Sequence, residues 1–123
     1  MTMLTPNFSL RELSCRCGCT TPEGVTQNLR ELARHLEALR AILGRPVTIL
    51  SGYRCPEHNR KVDGAPMSQH TMGLAADVMV KGMTPGQIKR AAERVPRFNA
   101  GGIGLYRTWV HVDIRGTHAR WNG

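Results

Sequence analysis

Between Val25 and Leu43 the apolar residues Val25, Leu29, Leu32, Leu36, Leu39 and Leu43 recur at steps of three and four, which gathers them on one face of a helix. Gly44 and Pro46 supply its stop. Ahead of this long amphipathic helix, Ser9 and Glu12 in "SLRE" match a capping box and predict a short first helix. After it, "PVTILSGY" reads as a strand, and "PEHNRKVDG" as a short helical or turn segment closed by Gly64. "LAADVMV" has a strand's small and β-branched residues. "TPGQIKRAAERV" predicts a helix with Thr84 as cap, Pro85 in its first turn and Gln87 three residues beyond the cap. The strands "GGIGLY" and "WVHVDIR" finish the pattern.

Helices first and strands clustered late indicate an α+β fold with a largely antiparallel sheet packed by helices. With 123 residues and no repeat, low-complexity tract or linker, the chain is expected to be one small domain spanning 1–123. Alternation along "WVHVDIR" puts Val110, Val112 and Ile114 on one face and Trp109, His111, Asp113 and Arg115 on the other. The first face is core, and the second is chemistry or solvent. In "LAADVMV" the same period separates Ala75, Asp77 and Met79 from Ala76, Val78 and Val80. If these two strands are neighbours, Asp77 and His111 approach each other across the sheet.

His70 lies seven positions before Asp77 in "SQHTMGLAADV". His70, Asp77 and His111 would together make a two-nitrogen, one-oxygen set. Three protein ligands with a fourth position left for water is the pattern of catalytic zinc, whereas structural zinc is usually closed by four. Gly73 allows a tight passage from His70 into the strand, and Ala75 and Ala76 leave room beside it. Each residue alone has a plainer explanation, since a single histidine is more often a satisfied side chain than a ligand and an aspartate can cap a turn.

Composition narrows the class without naming a partner. With 41% hydrophobic and 21% charged residues, the chain falls among globular proteins, away from disordered and membrane classes. The net charge of +8 comes mostly from arginines scattered between Arg11 and Arg120. A generally cationic surface follows, attracted to anionic cell-envelope polymers as to any polyanion, with no block that would mark a specific nucleic-acid arm. A basic face that only aids solubility is an equally open reading. "MTMLTPNFSLRELSC" has no basic start, long apolar run or small-residue cleavage site, so neither signal peptide nor membrane span is expected, and synthesis is expected in the cytoplasm. Cys15, Cys17, Cys19 and Cys55 leave three states open: reduced thiols, a disulfide involving Cys55, or a second metal. The one-residue gaps in "CRCGC" are not the usual knuckle spacing.

"SGYRCPEHNRKVDGAPMSQHTMGLAADV" followed by "GGIGLYRTWVHVDIRG" resembles the zinc D-alanyl-D-alanine carboxypeptidase family of peptidoglycan peptidases, whose fold is shared with the Hedgehog signalling domain. The similarity runs from about Phe8 to Trp121. It implies a Hedgehog/DD-peptidase-like fold, a single zinc as the only cofactor, and hydrolysis of an amide bond in peptidoglycan stem or cross-link peptides. By the same resemblance His70, Asp77 and His111 match the zinc ligands, Arg54 matches the arginine that holds a substrate carboxylate, and Ser68 matches the serine beside the first ligand. An arginine's planar fork suits a carboxylate.

One position departs from the family pattern. Several branches carry an acidic general base three residues before the last histidine ligand, and here that residue is Thr108. Asp113, the one carboxylate after Glu93, is the local candidate for the base, with an orienting role behind a ligand as the alternative. Tyr106 and His118 rank below it as groups that could stabilise an oxyanion. The setting expected is a monomeric phage lytic enzyme (endolysin) that acts on the cell wall after release. The alternatives are a catalytically inert wall-binding module, a bacterial wall-remodelling carboxypeptidase, and a nucleic-acid-binding protein that would explain only the charge.

Overall fold

The computed structural model of the protein describes residues 2–123; Met1, the first residue of the expected domain, lies outside them. The chain opens with β1 (Met3–Thr5) and β2 (Phe8–Ser9), an antiparallel pair. Helix α1 (Leu10–Leu13) follows, and its capping box is present as the sequence predicts. Ser9 Oγ accepts from Glu12 N at 3.1 Å, and Glu12 Oε1 accepts from Ser9 N at 2.9 Å. Helix α2 (Glu23–Leu43) buries Leu29, Leu32, Ala33, Leu36 and Leu39. Val25 and Leu43, at the ends of the periodic series, are only partly covered. Gly44 closes the helix at φ +67°, a left-handed conformation that costs glycine little.

Strand β3 (Thr48–Ser51) leads to helix α3 (Pro56–Lys61), a 3-10 turn at Gln69–Met72, and strand β4 (Ala75–Met79). Helix α4 (Pro85–Ala92) carries the second capping box, between Thr84 and Gln87. Helix α5 (Pro96–Asn99) precedes strands β5 (Gly102–Leu105), β6 (Val110–Asp113) and β7 (Ala119–Asn122). The sheet order is β3-β4-β6-β5-β7, antiparallel throughout except for the parallel β5–β7 pair. The α+β, largely antiparallel architecture expected from the element order is therefore the one observed.

One face of the sheet faces the helices. Ala76 pairs with Val112 and Val78 with Val110 across β4 and β6, and these residues join Ile103, the α2 leucines, and Ile88, Ala91 and Ala92 of α4 in one buried cluster. The opposite face of the same strands carries Ala75, Asp77, His111 and Asp113. That face is not left to solvent: His111 is 6% exposed and Asp113 is fully buried. Strand β7 explains part of the cover, because it extends the sheet beyond β5 and brings Trp121 opposite Gly104.

Leu36 is fully buried in the centre of α2. Leu36→Ala is expected to lose about 2–5 kcal/mol of stability, measured as a lower denaturation midpoint at an unchanged slope.

Candidate metal centre

The register of β4 against β6 sets Asp77 directly opposite His111. His70 reaches the same point from the 3-10 turn. Ser68 caps that turn, its Oγ accepting from His70 N at 3.1 Å, and Gly73 at φ +74° turns the chain into β4. His70 Nε2 and His111 Nδ1 each stand 3.3 Å from Asp77 Oδ1. The three donor atoms lie within 4.8 Å of one another. Two imidazole nitrogens and a carboxylate oxygen at this spacing form a group that can hold a metal ion.

What lies behind each ring decides which nitrogen faces the centre. His70 Nδ1 is 2.7 Å from Gly52 O, and because a carbonyl only accepts, Nδ1 carries the hydrogen and the Nε2 lone pair points toward Asp77. His111 Nε2 is 2.7 Å from Asp113 Oδ2. The Asp113 carboxylate is ionised and only accepts, so Nε2 donates and Nδ1 is left for the centre. Metal-binding histidines are commonly oriented in this way by a carboxylate or a backbone carbonyl.

Asp113 is itself saturated. Its Oδ1 accepts from Gly102 N at 2.8 Å, Arg115 N at 3.1 Å and Arg115 Nε at 2.9 Å. Its Oδ2 accepts from Arg115 Nη2 at 2.7 Å besides His111. A Cβ on Gly102 would stand 2.3 Å from Asp113 Oδ2, so the glycine is what lets a carboxylate enter here. Burial pushes Asp113 up, but the hydrogen bonds from His111 and Arg115 outweigh it and hold the carboxyl well below the ordinary range. Burial pushes Asp77 up as well, but in the metal-free centre hydrogen bonds from the imidazolium forms of His111 and His70, whose N–H groups then stand where a metal would sit, outweigh it. Burial alone would pull His111 down, yet its bonds to Asp113 and Asp77 raise it above the ordinary histidine value.

The centre opens into a cavity of about 500 Å³ whose walls include Arg54, Ser68, Tyr106, Arg115 and Trp121. A larger groove of about 1210 Å³ runs along residues 9–19 and holds none of the three donors. Arg54 N donates to His70 O at 3.0 Å, which ties the arginine's backbone to the first histidine. Its Nη2 is 3.5 Å from Ser68 Oγ, a long contact, and its buried Nε has no partner. Burial pulls the Arg54 guanidinium down, with Asp77 acting against that shift. Trp121 closes another wall, its ring centroid 4.9 Å from that of His111 and its Nε1 donating to Tyr106 Oη at 3.0 Å. A Cβ on Gly104 would meet Trp121 Nε1 at 2.4 Å. Gly104 is therefore the space the indole occupies.

Sequence candidates divide on this geometry. Arg54, Ser68, His70, Asp77, His111 and Tyr106 share the cavity, and Asp113 lies directly behind His111. Thr108 is exposed and lines no part of it. His118, considered for oxyanion stabilisation, is also exposed and bonds Asn99 O through Nδ1 at 2.9 Å, away from the centre. Arg115 and Trp121 were not among the candidates. The alternation of "WVHVDIR" already set Arg115 on the His111 face, but Trp121 depends on a strand that shows no alternation.

Paired strands carrying Asp77 and His111, a 3-10 turn carrying His70, and a half-buried arginine together form a candidate metal centre that opens into a cavity. The chain matches the Peptidase M15 family over residues 6–113 and belongs to that family. The peptidoglycan L,D-endopeptidase MepK of Escherichia coli (strain K12) is 34% identical over 87 residues, covering 63% of this chain and 46% of that protein. The proteins of the same name from Escherichia coli O157:H7 and Shigella flexneri align equally. The chain spans about half the length of the curated relatives it matches. The peptidase resemblance read from the motifs is thus borne out. Among the described residues no helix is long and apolar enough to cross a membrane.

Two outcomes follow for metal binding. In Asp113→Asn an amide nitrogen must face His111, Gly102 or Arg115, all donors, so the imidazole loses its fixed orientation. Metal affinity is expected to fall about 10–100-fold, measured by competition with a chromophoric chelator. The second outcome is set by the proton on His111, which a metal must displace. A raised value means that proton is held to higher pH, so affinity should climb about tenfold per pH unit up to that value and level above it. The plateau is expected above pH ~6.5, the ordinary histidine value.

Proposed function

We propose that this chain is a zinc-dependent peptidase that hydrolyses an amide bond in peptidoglycan peptides. The observation that carries the reading is Arg54: a guanidinium with a buried, unpartnered Nε, lining the same cavity as His70, Asp77 and His111. An unpaired buried donor is costly, and a carboxylate from a peptide stem would satisfy it with a planar, two-point contact. The donor set of two imidazoles and one carboxylate suits zinc and leaves a position for water.

Zinc, when bound, would polarise the scissile carbonyl and lower the pKa of water toward about 7. The chain's own residues do the rest by position. Arg54 holds the substrate carboxylate, and the Ser68 hydroxyl beside it contributes a further hydrogen bond. Asp113, sealed behind His111, acts by keeping Nε2 protonated and Nδ1 free, so of its two readings the orienting one fits its burial and its saturated oxygens. Trp121 and Tyr106 cover one side of the site and limit access of bulk water.

Endopeptidase action is favoured over carboxypeptidase action by the similarity to MepK, a peptidoglycan L,D-endopeptidase. A lytic role against a bacterial wall, as in a phage endolysin made in the host cytoplasm, suits a chain of net charge +8, because anionic wall polymers would concentrate it on its substrate.

Incubation of purified protein with peptidoglycan, followed by mass spectrometry of the released muropeptides, tests the reading. New amine and carboxyl termini within the peptide stems are expected, and their absence from every wall type would leave an inert wall-binding module. Arg54→Lys should keep metal and fold while turnover drops by about tenfold or more, the scale of a lost charge-assisted contact. Unchanged turnover in Arg54→Lys would remove the arginine from substrate binding.

A further inference from the structure

We propose that Cys15, Cys17, Cys19 and Cys55 form a second, structural zinc site that fastens the amino-terminal segment to the loop carrying Arg54. All four sulfurs can be drawn within 4.8 Å of one another. Cys15 Sγ is 3.3 Å from Cys17 Sγ, and Cys17 Sγ is 3.7 Å from Cys55 Sγ. Sulfurs at about 2.3 Å from a tetrahedral zinc stand about 3.8 Å apart along each edge. The cluster already has nearly that size. All four are free cysteines, and any one disulfide would use only two of them.

The backbone is arranged around sulfur as well. Cys55 N donates to Cys15 Sγ and His58 N donates to Cys55 Sγ, both at 3.4 Å. Gly18 adopts φ +84° and its N–H bonds Cys15 O at 3.1 Å. That turn folds "CRCGC" back on itself, so that one-residue gaps converge on one point in place of the usual knuckle spacing. Binding would release the four thiol protons and leave a zinc tetrathiolate of net charge −2. Arg16 and Arg54, each a chain neighbour of a cysteine, supply positive charge nearby.

The mechanical consequence reaches the candidate metal centre. Tyr53 N donates to Leu13 O at 2.9 Å, and a Cβ on Gly52 would stand 2.6 Å from that same oxygen. Residues 13–19 therefore lie directly on 52–55, and the sulfur cluster closes this contact one residue from Arg54. His70 shares the support through Gly52 O. A zinc here would hold the backbone of the arginine without touching substrate.

Metal analysis of the full chain purified under reductant tests the site apart from the catalytic reading. Wild type should carry about two zinc ions per chain, with about one in His70→Ala and about one in the Cys17→Ser/Cys19→Ser double variant. A wild-type measurement guards against misfolded variants: titration with an organomercurial should release one zinc per four thiols blocked, and cobalt substitution should give strong sulfur-to-cobalt charge-transfer absorption. Four thiols that react freely in native wild-type protein, with zinc retained, would overturn the proposal. So would a mass showing a Cys17–Cys55 disulfide in protein purified without reductant. Zinc lost with the cysteines but unaffected by His70→Ala would sustain this site while removing the His-Asp-His one.

Discussion

The antiparallel register between β4 and β6 is the constraint on which the rest depends. With Asp77 opposite His111, the two donors share a sheet face, and their partners on the other face, Val78 and Val110, are fully buried. A one-residue slip would send the donors into the core and the valines into the cavity. The hydrophobic face therefore fixes the metal-binding face, and core packing and site geometry cannot be varied independently. His70 is less constrained by the sheet, which is why it needs its own anchors: the Ser68 cap and the Gly52 carbonyl.

A second layer of order lies beneath the donors. Asp113 places a full negative charge in the interior, which is tolerable because Arg115 grips it and a backbone N–H and His111 supply further hydrogen bonds. Removing one member of such a buried group leaves the others unpaired, and that loss exceeds the net value of the pair. The glycines of β5 belong to this arrangement. Gly102 admits the carboxylate and Gly104 admits the indole of Trp121, so the strand that looks weakest by propensity is shaped by what must fit against it.

Much of this was legible in the sequence because it depends on local periodicity or local caps. Helix α2, both capping boxes and the two central strands follow from spacing alone, and the meeting of Asp77 with His111 follows once those strands are neighbours. The elements that escaped are short or determined at long range. Strands β1 and β2 and helix α5 are too brief to show a period, and β7 (Ala119–Asn122) has no alternation, existing through bonds such as Gly123 N to Leu105 O at 2.8 Å. The same limit applies to the site. Sequence could put Asp113 on the face of His111, but its closure behind the ring depends on Arg115 and on the space at Gly102. The cysteine spacing was uninformative because the Gly18 turn and the distant Cys55 supply what spacing would otherwise show.

The two layers divide the work of positioning between sheet and loop. Asp77 and His111 stand on paired strands whose other face is core, so their separation is fixed by the same bonds that hold the sheet. Arg54 stands on a loop after β3, where no ladder holds it, and under the proposed function its guanidinium would have to meet a substrate carboxylate in a two-point geometry that tolerates little drift. Its backbone is nevertheless held on one side by His70 O and, through Tyr53, on the other by Leu13 O. The loop thus borrows rigidity from the amino-terminal segment. A segment of two short strands and one helical turn has little core of its own to offer, and a crosslink next to Cys55 is where additional rigidity would act most directly on the arginine.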